Sequence, residues 1–452
     1  MQNRRTFLQK TALASAALGL MPGGQYAFSG KGQDKPLRVG LIGVGLRGTN
    51  HLKNLLLRQD VSITALCDTD PARLALCSDL IKESGKPKAA QFGEHEHSYR
   101  DLLALETVDA VIISTPWRWH TPMAVDAMKG GKYTGLEVSA ATTLEECWDL
   151  VNTHEATGSY LMLLENVNYR RDILAVLRMV REGVFGELVH FRCGYQHDLR
   201  EVKFNNGEQP YGGGVEFGEK ATSEARWRTA YSLNRNADVY PTHGLGPVAV
   251  MADINRGNRL VSLNSMATKA IGLHNHIVRQ GGEDHPNASL KFQQGDVITT
   301  TLQTARGESI IITHDCNLPR PYSLGFRVQG ANGLWEVDGD RIYIEGKSQP
   351  HRWDEAGPWL EKYDHPLWQR YGEYASGSGH GGMDFFVLNA FVESARRGIA
   401  PPIDAYDAAV WSAVTPLSER SIAANGEPQF FPDFTRGRWM HRKPYDWNKD
   451  AW

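Results

Sequence analysis

The chain has 452 residues, 41% of them hydrophobic and 22% charged, which gives two or three domains with a substantial core and excludes wholesale disorder. A formal net charge of −3 gives no electrostatic reason to bind nucleic acid or an anionic membrane. The five cysteines, Cys67, Cys77, Cys147, Cys193 and Cys316, are odd in number and form no Cys-x-x-Cys, so buried free thiols are expected rather than a disulfide framework or a thiolate zinc site.

The chain opens with Arg4 and Arg5, then Phe7 and Leu8, a mildly apolar run from Thr11 to Met21, and small residues near "YAFSG". Residues 1–30 match a twin-arginine signal, an address rather than a structure. The implied partner is the twin-arginine translocation machinery, and the implied destination is the periplasm or the medium. The run is too short, and too rich in Ala and Gly, for a spanning helix, so no stable membrane insertion is expected. That route carries folded proteins, which allows a cofactor to be loaded before transport.

From Leu37 strand and helix alternate. "LRVGLIG", "VSITALCD", "VDAVIIST", "KYTGLEV" and "YLMLLEN" are short apolar runs read as buried strands. Helices are predicted after "GVGLRG", from the loop "PWRWH" to Lys129, and over "TLEECWDLVNTHEATG". This alternation predicts a doubly wound parallel sheet over residues 35–167. Beyond Arg170, "GELVHFRCGYQHD", "LVSLNSMATK", "DVITTTLQT", "ESIIITHDC", "LGFRVQG" and "GLWEVDGDRIYIEG" predict an α+β domain, residues 168–430, with an open, mostly antiparallel sheet. Helices at "MDFFVLNAFVESARRG" and "DAYDAAVWSAVTPLSERSIAANG" are expected to cross that sheet or return to the first domain. Residues 431–452 read as an aperiodic tail.

Gly43, Gly45 and Gly48 form G-x-G-x-x-G between the first strand and the first helix. The first glycine permits a tight turn, the second lets a pyrophosphate approach, and the third lets helix pack on strand. Asp68 closes the second strand about twenty residues on, where a carboxylate holds ribose hydroxyls and repels a 2′-phosphate. The expected cofactor is therefore NAD rather than NADP.

"GVGLRG", "CDTD", "STPWRWH" and "GLEVSAATTLEE" together resemble the glucose–fructose oxidoreductase and inositol dehydrogenase superfamily. Many of its dehydrogenases carry Glu-Lys-Pro after the fifth strand, and the lysine deprotonates a hydroxyl. Here Glu137 is followed by Val138 and Ser139, and valine carries no proton. Either the chain is inactive or another group does that work, and "VYPTHGLGP" offers Tyr240 and His243, three apart and able to face one pocket at a helix start.

"ENVNY", "CGYQHD", "RWRT", "YPTHGLGP" and "GHGGMDF" follow in order, and with the earlier motifs they resemble glycoside hydrolase family 109. Known members include α-N-acetylgalactosaminidases that keep NAD tightly bound. The resemblance implies NAD contacts at Leu46, Arg47, Asp68, Trp117, Arg118, Trp119, His120, Glu137, Val138 and Asn166, beside the three glycines. It implies substrate contacts at Tyr195, Arg228, Tyr240, Pro241, Thr242, His243 and Tyr322, and it assigns His380 no role. Relatives with an open sheet often pair through it, so a homo-oligomer is a partner the resemblance allows. "HEH" and "HDLREV" lack the HExxH spacing, and no metal is expected.

The activity implied is hydrolysis of a terminal α-linked N-acetylgalactosamine without net oxidation. The sugar is oxidised at C3, loses its C2 proton, and eliminates the C1 leaving group. Water then adds and C3 is reduced again. His243 or Tyr240 takes the hydroxyl proton, and Tyr195 is the choice for C2. Two alternatives stay open: a periplasmic sugar oxidoreductase with retained NAD(P), against which Val138 counts, and a non-catalytic glycan-binding module.

Overall fold

The computed structural model describes residues 35–447, so the expected twin-arginine segment and the end of the tail lie outside it. Strands β1 (Leu37–Ile42), β2 (Val61–Cys67), β3 (Ala90–Phe92), β4 (Ala110–Ile113), β5 (Tyr133–Leu136) and β6 (Leu161–Leu163) make a parallel sheet in the order β3-β2-β1-β4-β5-β6. Every residue of β4, β5 and β6 is buried, as strands covered on both faces require. Helices α1 (Leu46–Leu56), α2 (Pro71–Glu83), α3 (Tyr99–Ala104), α4 (Trp117–Lys129) and α5 (Leu144–Thr157) make the connections. Asp70 caps α2 ahead of Pro71, and Thr143 with Glu146 closes a reciprocal capping box on α5. The strand order reverses between β1 and β4, which places the glycine turn at the crevice where such sheets bind ligands.

One local expectation is corrected. The "WRWH" residues are not a loop but the first turn of α4. Pro116 enters the helix with φ −57°, and its carbonyl already accepts the Trp119 N–H at 2.9 Å. A proline is tolerated at a helix entry because its missing N–H would have no partner there.

The second region begins with α6 (Arg171–Arg181) and carries β7 (Leu188–Gln196), α7 (Arg228–Asn234) and α8 (Thr242–Met251). Strands β8 (Leu260–Ala267), β9 (Val297–Thr304), β10 (Ser309–Asp315), β11 (Arg327–Gly330), β12 (Gly333–Glu336), β13 (Arg341–Ile344), β14 (Asp354–Glu355) and β15 (Gln429–Phe430) complete its sheet. The order is β14-β13-β12-β11-β7-β10-β9-β8-β15, antiparallel throughout except for the β7–β10 pair. Burial alternates along β9, with Thr299, Thr301 and Gln303 outward, the pattern of a sheet covered on one face only.

Three late helices cover the ground between the two sheets. α9 (Met383–Arg397) packs on α1 and β1, and α10 (Ala405–Ser412) packs on α5 and β6. α11 (Val414–Ala423) crosses β8, so the expected helical stretch is two helices parted at Ala413. The tail returns to the first region, where Arg436 and Arg438 pair with Glu155 of α5, and Phe434 and Trp447 are buried. The main apolar core of the described residues runs through both halves, beside two smaller clusters around Phe204 and around Trp117. No helix among the described residues is long and apolar enough to cross a membrane.

Candidate active site

The glycine turn is built by close approach. Gly43 has φ +83°, and a Cβ there would lie 2.8 Å from the Ser114 carbonyl. A Cβ on Gly48 would lie 2.0 Å from the Gly43 carbonyl oxygen, so α1 seats directly against the turn. At Gly45, by contrast, nothing lies within 4 Å of the Cβ position. Helix α1 starts at the next residue without a side-chain cap, which leaves its N-terminal N–H groups facing open space suited to a pyrophosphate. Nearby, the Ser114 hydroxyl is buried without a hydrogen-bond partner among the described residues. Asp68 accepts the Val44 N–H at 2.7 Å and the Asp70 N–H at 2.9 Å, and burial raises its carboxyl above the usual range. The residues present fit NAD, with the pyrophosphate at Gly45 and the adenine-side ribose at Asp68.

The other expected cofactor residues fall into two groups. Leu46 is exposed at the start of α1. Arg118 pairs with Glu96 at 2.8 Å and lies over Trp119, whose ring stands edge-on to His97 at 5.4 Å. Each ring nitrogen of His120 lies 2.7 Å from a carbonyl oxygen, of Ser139 or Thr115, and burial lowers its pKa. Its ring braces the loops after β4 and β5. Trp117 turns the other way, toward the second region. Its indole N–H donates to the Val138 carbonyl at 3.2 Å. Val138 itself is buried and supplies no proton carrier, and the Val138–Ser139 peptide is cis.

Arg47, Glu137 and Asn166 converge on Asp384, a residue the sequence did not single out. Arg47 donates to Glu137 at 2.6 Å and to Asp384 at 2.7 Å. Asp384 also accepts from Asn50 at 2.6 Å, from Asn166 at 2.8 Å and from His380 at 2.7 Å. Burial alone would raise both carboxyls. The Arg47 charge together with the bonds from His51 to Glu137 and from His380 to Asp384 outweighs it and holds them below the usual range. Arg47 is thus neutralised by two carboxylates at the mouth of the glycine turn.

Among the residues expected to contact substrate, His243 Nδ1 lies 2.7 and 2.9 Å from the two oxygens of Glu165. A carboxylate only accepts, so Nδ1 carries the hydrogen and Nε2 is left as the acceptor. Among the described residues Nε2 makes no hydrogen bond. The Glu165 side chain is fully buried and that of His243 is 16% exposed. The Tyr195 and Tyr240 rings lie 5.3 and 4.9 Å from the His243 ring, and 4.7 Å from each other. Arg228 is buried over Tyr240 at 4.9 Å and over Trp117 at 5.2 Å, and Trp117 stacks on Tyr240 at 5.6 Å. Burial would lower the Arg228 pKa, but Glu224, 3.2 Å away, holds it above the usual value. Tyr322 is half exposed and reaches the group through His197, whose ring is 5.0 Å away. Pro241 and Thr242 are buried at the entry of α8, and the Thr242 hydroxyl has no hydrogen-bond partner among the described residues.

Local packing explains this convergence. β7 carries Tyr195 near its end, and the first turn of α8 carries His243. A Cβ on Gly244 would lie 2.6 Å from the Gly194 amide nitrogen, so only glycine lets α8 lie this close to β7. Glu165 stands two residues beyond β6, at the C-terminal edge of the parallel sheet where such folds place ligands. That position was its one available signal. His197 and Asp384 had none beyond membership of a motif. Among the described residues, no group of three or more His, Cys, Asp or Glu could hold a metal ion.

Residues 37–164 match the oxidoreductase family NAD-binding Rossmann fold, and residues 169–441 match the glycosyl hydrolase 109 C-terminal domain. A Tannerella forsythia protein named alpha-N-acetylgalactosaminidase is 49% identical, covering 98% of this chain and 98% of its own length. A glycosyl hydrolase family 109 protein of Stenotrophomonas maltophilia is 50% identical, covering 98% of this chain and 97% of its own. Among solved structures, a levoglucosan dehydrogenase in complex with NADH and L-sorbose aligns with TM-score 0.65 at 16% identity, covering 88% of this chain and 99% of that one. The myo-inositol dehydrogenase of Lactobacillus casei, with NAD(H) and myo-inositol, aligns with TM-score 0.58 at 14% identity over the same shares. These two share the fold.

Proposed function

Since the chain belongs to glycosyl hydrolase family 109 and its first half is an NAD-binding Rossmann domain, we propose that it releases terminal α-linked N-acetylgalactosamine from glycans by a redox-neutral cycle. The observation that carries this reading is the His243–Glu165 pair beside Tyr195 and Tyr240, on a chain whose lysine position holds Val138. The 49% identity to the Tannerella forsythia alpha-N-acetylgalactosaminidase supports the choice of sugar.

Bound NAD supplies reversible hydride acceptance at a sugar carbon. The protein supplies the rest. His243 Nε2 takes the C3 hydroxyl proton, and Glu165 keeps the ring oriented and stabilises the cation that forms. The neighbouring ketone acidifies C2, where Tyr195 takes the proton as the C1 group leaves. The Trp117–Tyr240 stack and the Arg228 guanidinium offer an apolar wall and a cation to the pyranose and its polar substituents. We also infer export through the twin-arginine signal.

The test is incubation with a nitrophenyl α-N-acetylgalactosaminide and no added NAD. The expected result is many nitrophenols per enzyme, with N-acetylgalactosamine as the sugar product. Release limited to one per bound NAD, or an oxidised sugar as product, would contradict the redox-neutral cycle.

A further inference from the structure

The removal of the C2 proton poses a problem that the residues around Tyr195 answer. Tyr195 is 8% exposed, and burial pushes its phenol well above the usual range. A neutral phenol is a poor base. It can take a proton from carbon only if its own hydroxyl proton moves on at the same time. Among the described residues that hydroxyl has one hydrogen-bond partner, His197 Nδ1 at 3.3 Å.

His197 is placed to receive it. Its ring stands edge-on to Tyr195 at 5.7 Å and to Tyr322 at 5.0 Å, and it is only partly buried. Its Nε2 makes no hydrogen bond among the described residues. The adjacent carboxylate, Asp198, is taken by Arg200 at 2.9 and 2.7 Å and does not anchor the ring. Burial and the nearby Arg228 charge lower the imidazole to about 4, so at neutral pH it is an uncharged acceptor. The other imidazole beside Tyr195, His243, is held by Glu165 through Nδ1.

We propose that His197 is a positioning residue that acts through Tyr195, so that the C2 proton leaves by Tyr195 and His197 to solvent on a line separate from the His243–Glu165 pair. The proposal rests on the elimination reading above. In the step, the C2–H bond breaks and its proton binds the Tyr195 oxygen. The Tyr195 hydroxyl proton passes to His197 Nδ1, and Nε2–H releases a proton to water. The C2 electron pair forms the C1–C2 double bond, and the leaving group departs from C1 with its bonding pair. Water addition runs the same line backward.

The experiment uses the NAD-loaded protein and N-acetylgalactosamine in deuterium oxide. C2 exchange is followed by proton NMR, and reduction of bound NAD by absorbance in a single turnover. His197→Ala and His197→Asn are expected to slow C2 exchange about a hundredfold, leave the NAD reduction rate and KM near their original values, and regain exchange with added imidazole in the alanine variant. Because Arg228, Asp198, His243, Tyr195 and Tyr322 all face His197, the pH profile of exchange is measured in both variants, and its acid limb is expected to disappear. Either variant exchanging C2 at the original rate would overturn the role of His197 and leave the elimination standing. Equal loss of exchange and of NAD reduction, without imidazole rescue, would also overturn it by showing a merely structural effect. Hydrogen fully retained at C2 by the unaltered enzyme would overturn the elimination and this proposal together.

Discussion

At the residue scale, the pairing with Glu165 is what would make His243 a directed base in the proposed cycle. An imidazole alone offers two interchangeable nitrogens. The buried carboxylate fixes the hydrogen on Nδ1 and leaves Nε2 as the acceptor. The two side chains therefore act as one unit, and their losses do not add. His243→Ala is expected to lower kcat on a nitrophenyl glycoside by about a hundredfold or more. Glu165→Ala is expected to cost a comparable factor, and the double variant little beyond either single one. Losses that multiply would show that Glu165 serves the fold rather than the base. His243 was legible in the sequence because it stands between Pro241 and Gly244 at a helix start. Glu165 was not, since a single acid at the end of an apolar run carries no pattern of its own.

At the element scale, two contacts set the site, one inside the second region and one between the two regions. Helix α8 lies on β7 because Gly244 faces the Gly194 amide. Gly244→Ala forces the helix away from the strand at the residue after His243, and the obstacle is backbone, which cannot rotate aside. The expected cost is about 1–3 kcal/mol in denaturant unfolding, together with a fall in kcat larger than any change in KM. The second contact is α9 on α1, made by Asp384. Removing one partner of a buried charge pair costs about 3–5 kcal/mol; here Arg47 beside the glycine turn keeps Glu137 as its remaining carboxylate, so a smaller loss of stability is expected. Asp384→Asn is expected to lose NAD on dialysis at neutral pH while keeping its far-ultraviolet dichroism. Asp384 and Glu137 have folded values below their ordinary ones. The stability they lend is therefore complete above about pH 5 and is lost as the pH falls further, through the folded values. Cofactor retention in the unaltered protein should follow that fall, and less steeply in the asparagine variant. Asp384 was invisible to pattern reading for a plain reason: the Arg47 it holds is 337 residues away along the chain.

At the scale of the whole molecule, the two halves were legible to different depths. The parallel sheet was read from runs such as "VDAVIIST", because strands covered on both faces must be apolar at every position. The glycine turn was read from spacing that backbone geometry enforces. The first turn of α4 escaped because Trp117, Arg118, Trp119 and His120 show no apolar period, and tertiary contacts decide where each points. The whole-molecule reading joins NAD to export. A cofactor consumed as a co-substrate would strand the enzyme outside the cytoplasm, whereas one that is reduced and reoxidised within each cycle can be loaded once, during folding. Asp384 and Glu137 tie both halves to the glycine turn, so retention is expected to depend on completed folding, which the twin-arginine route also demands. The full chain is therefore expected in the periplasmic fraction with about one NAD per protein, released by acid denaturation and counted enzymatically. Replacing Arg4 and Arg5 by Lys is expected to leave the protein in the cytoplasm, active and loaded to the same ratio. Periplasmic protein that gains activity only when NAD is added would refute loading before export, and unchanged export of the double-lysine variant would refute the twin-arginine assignment.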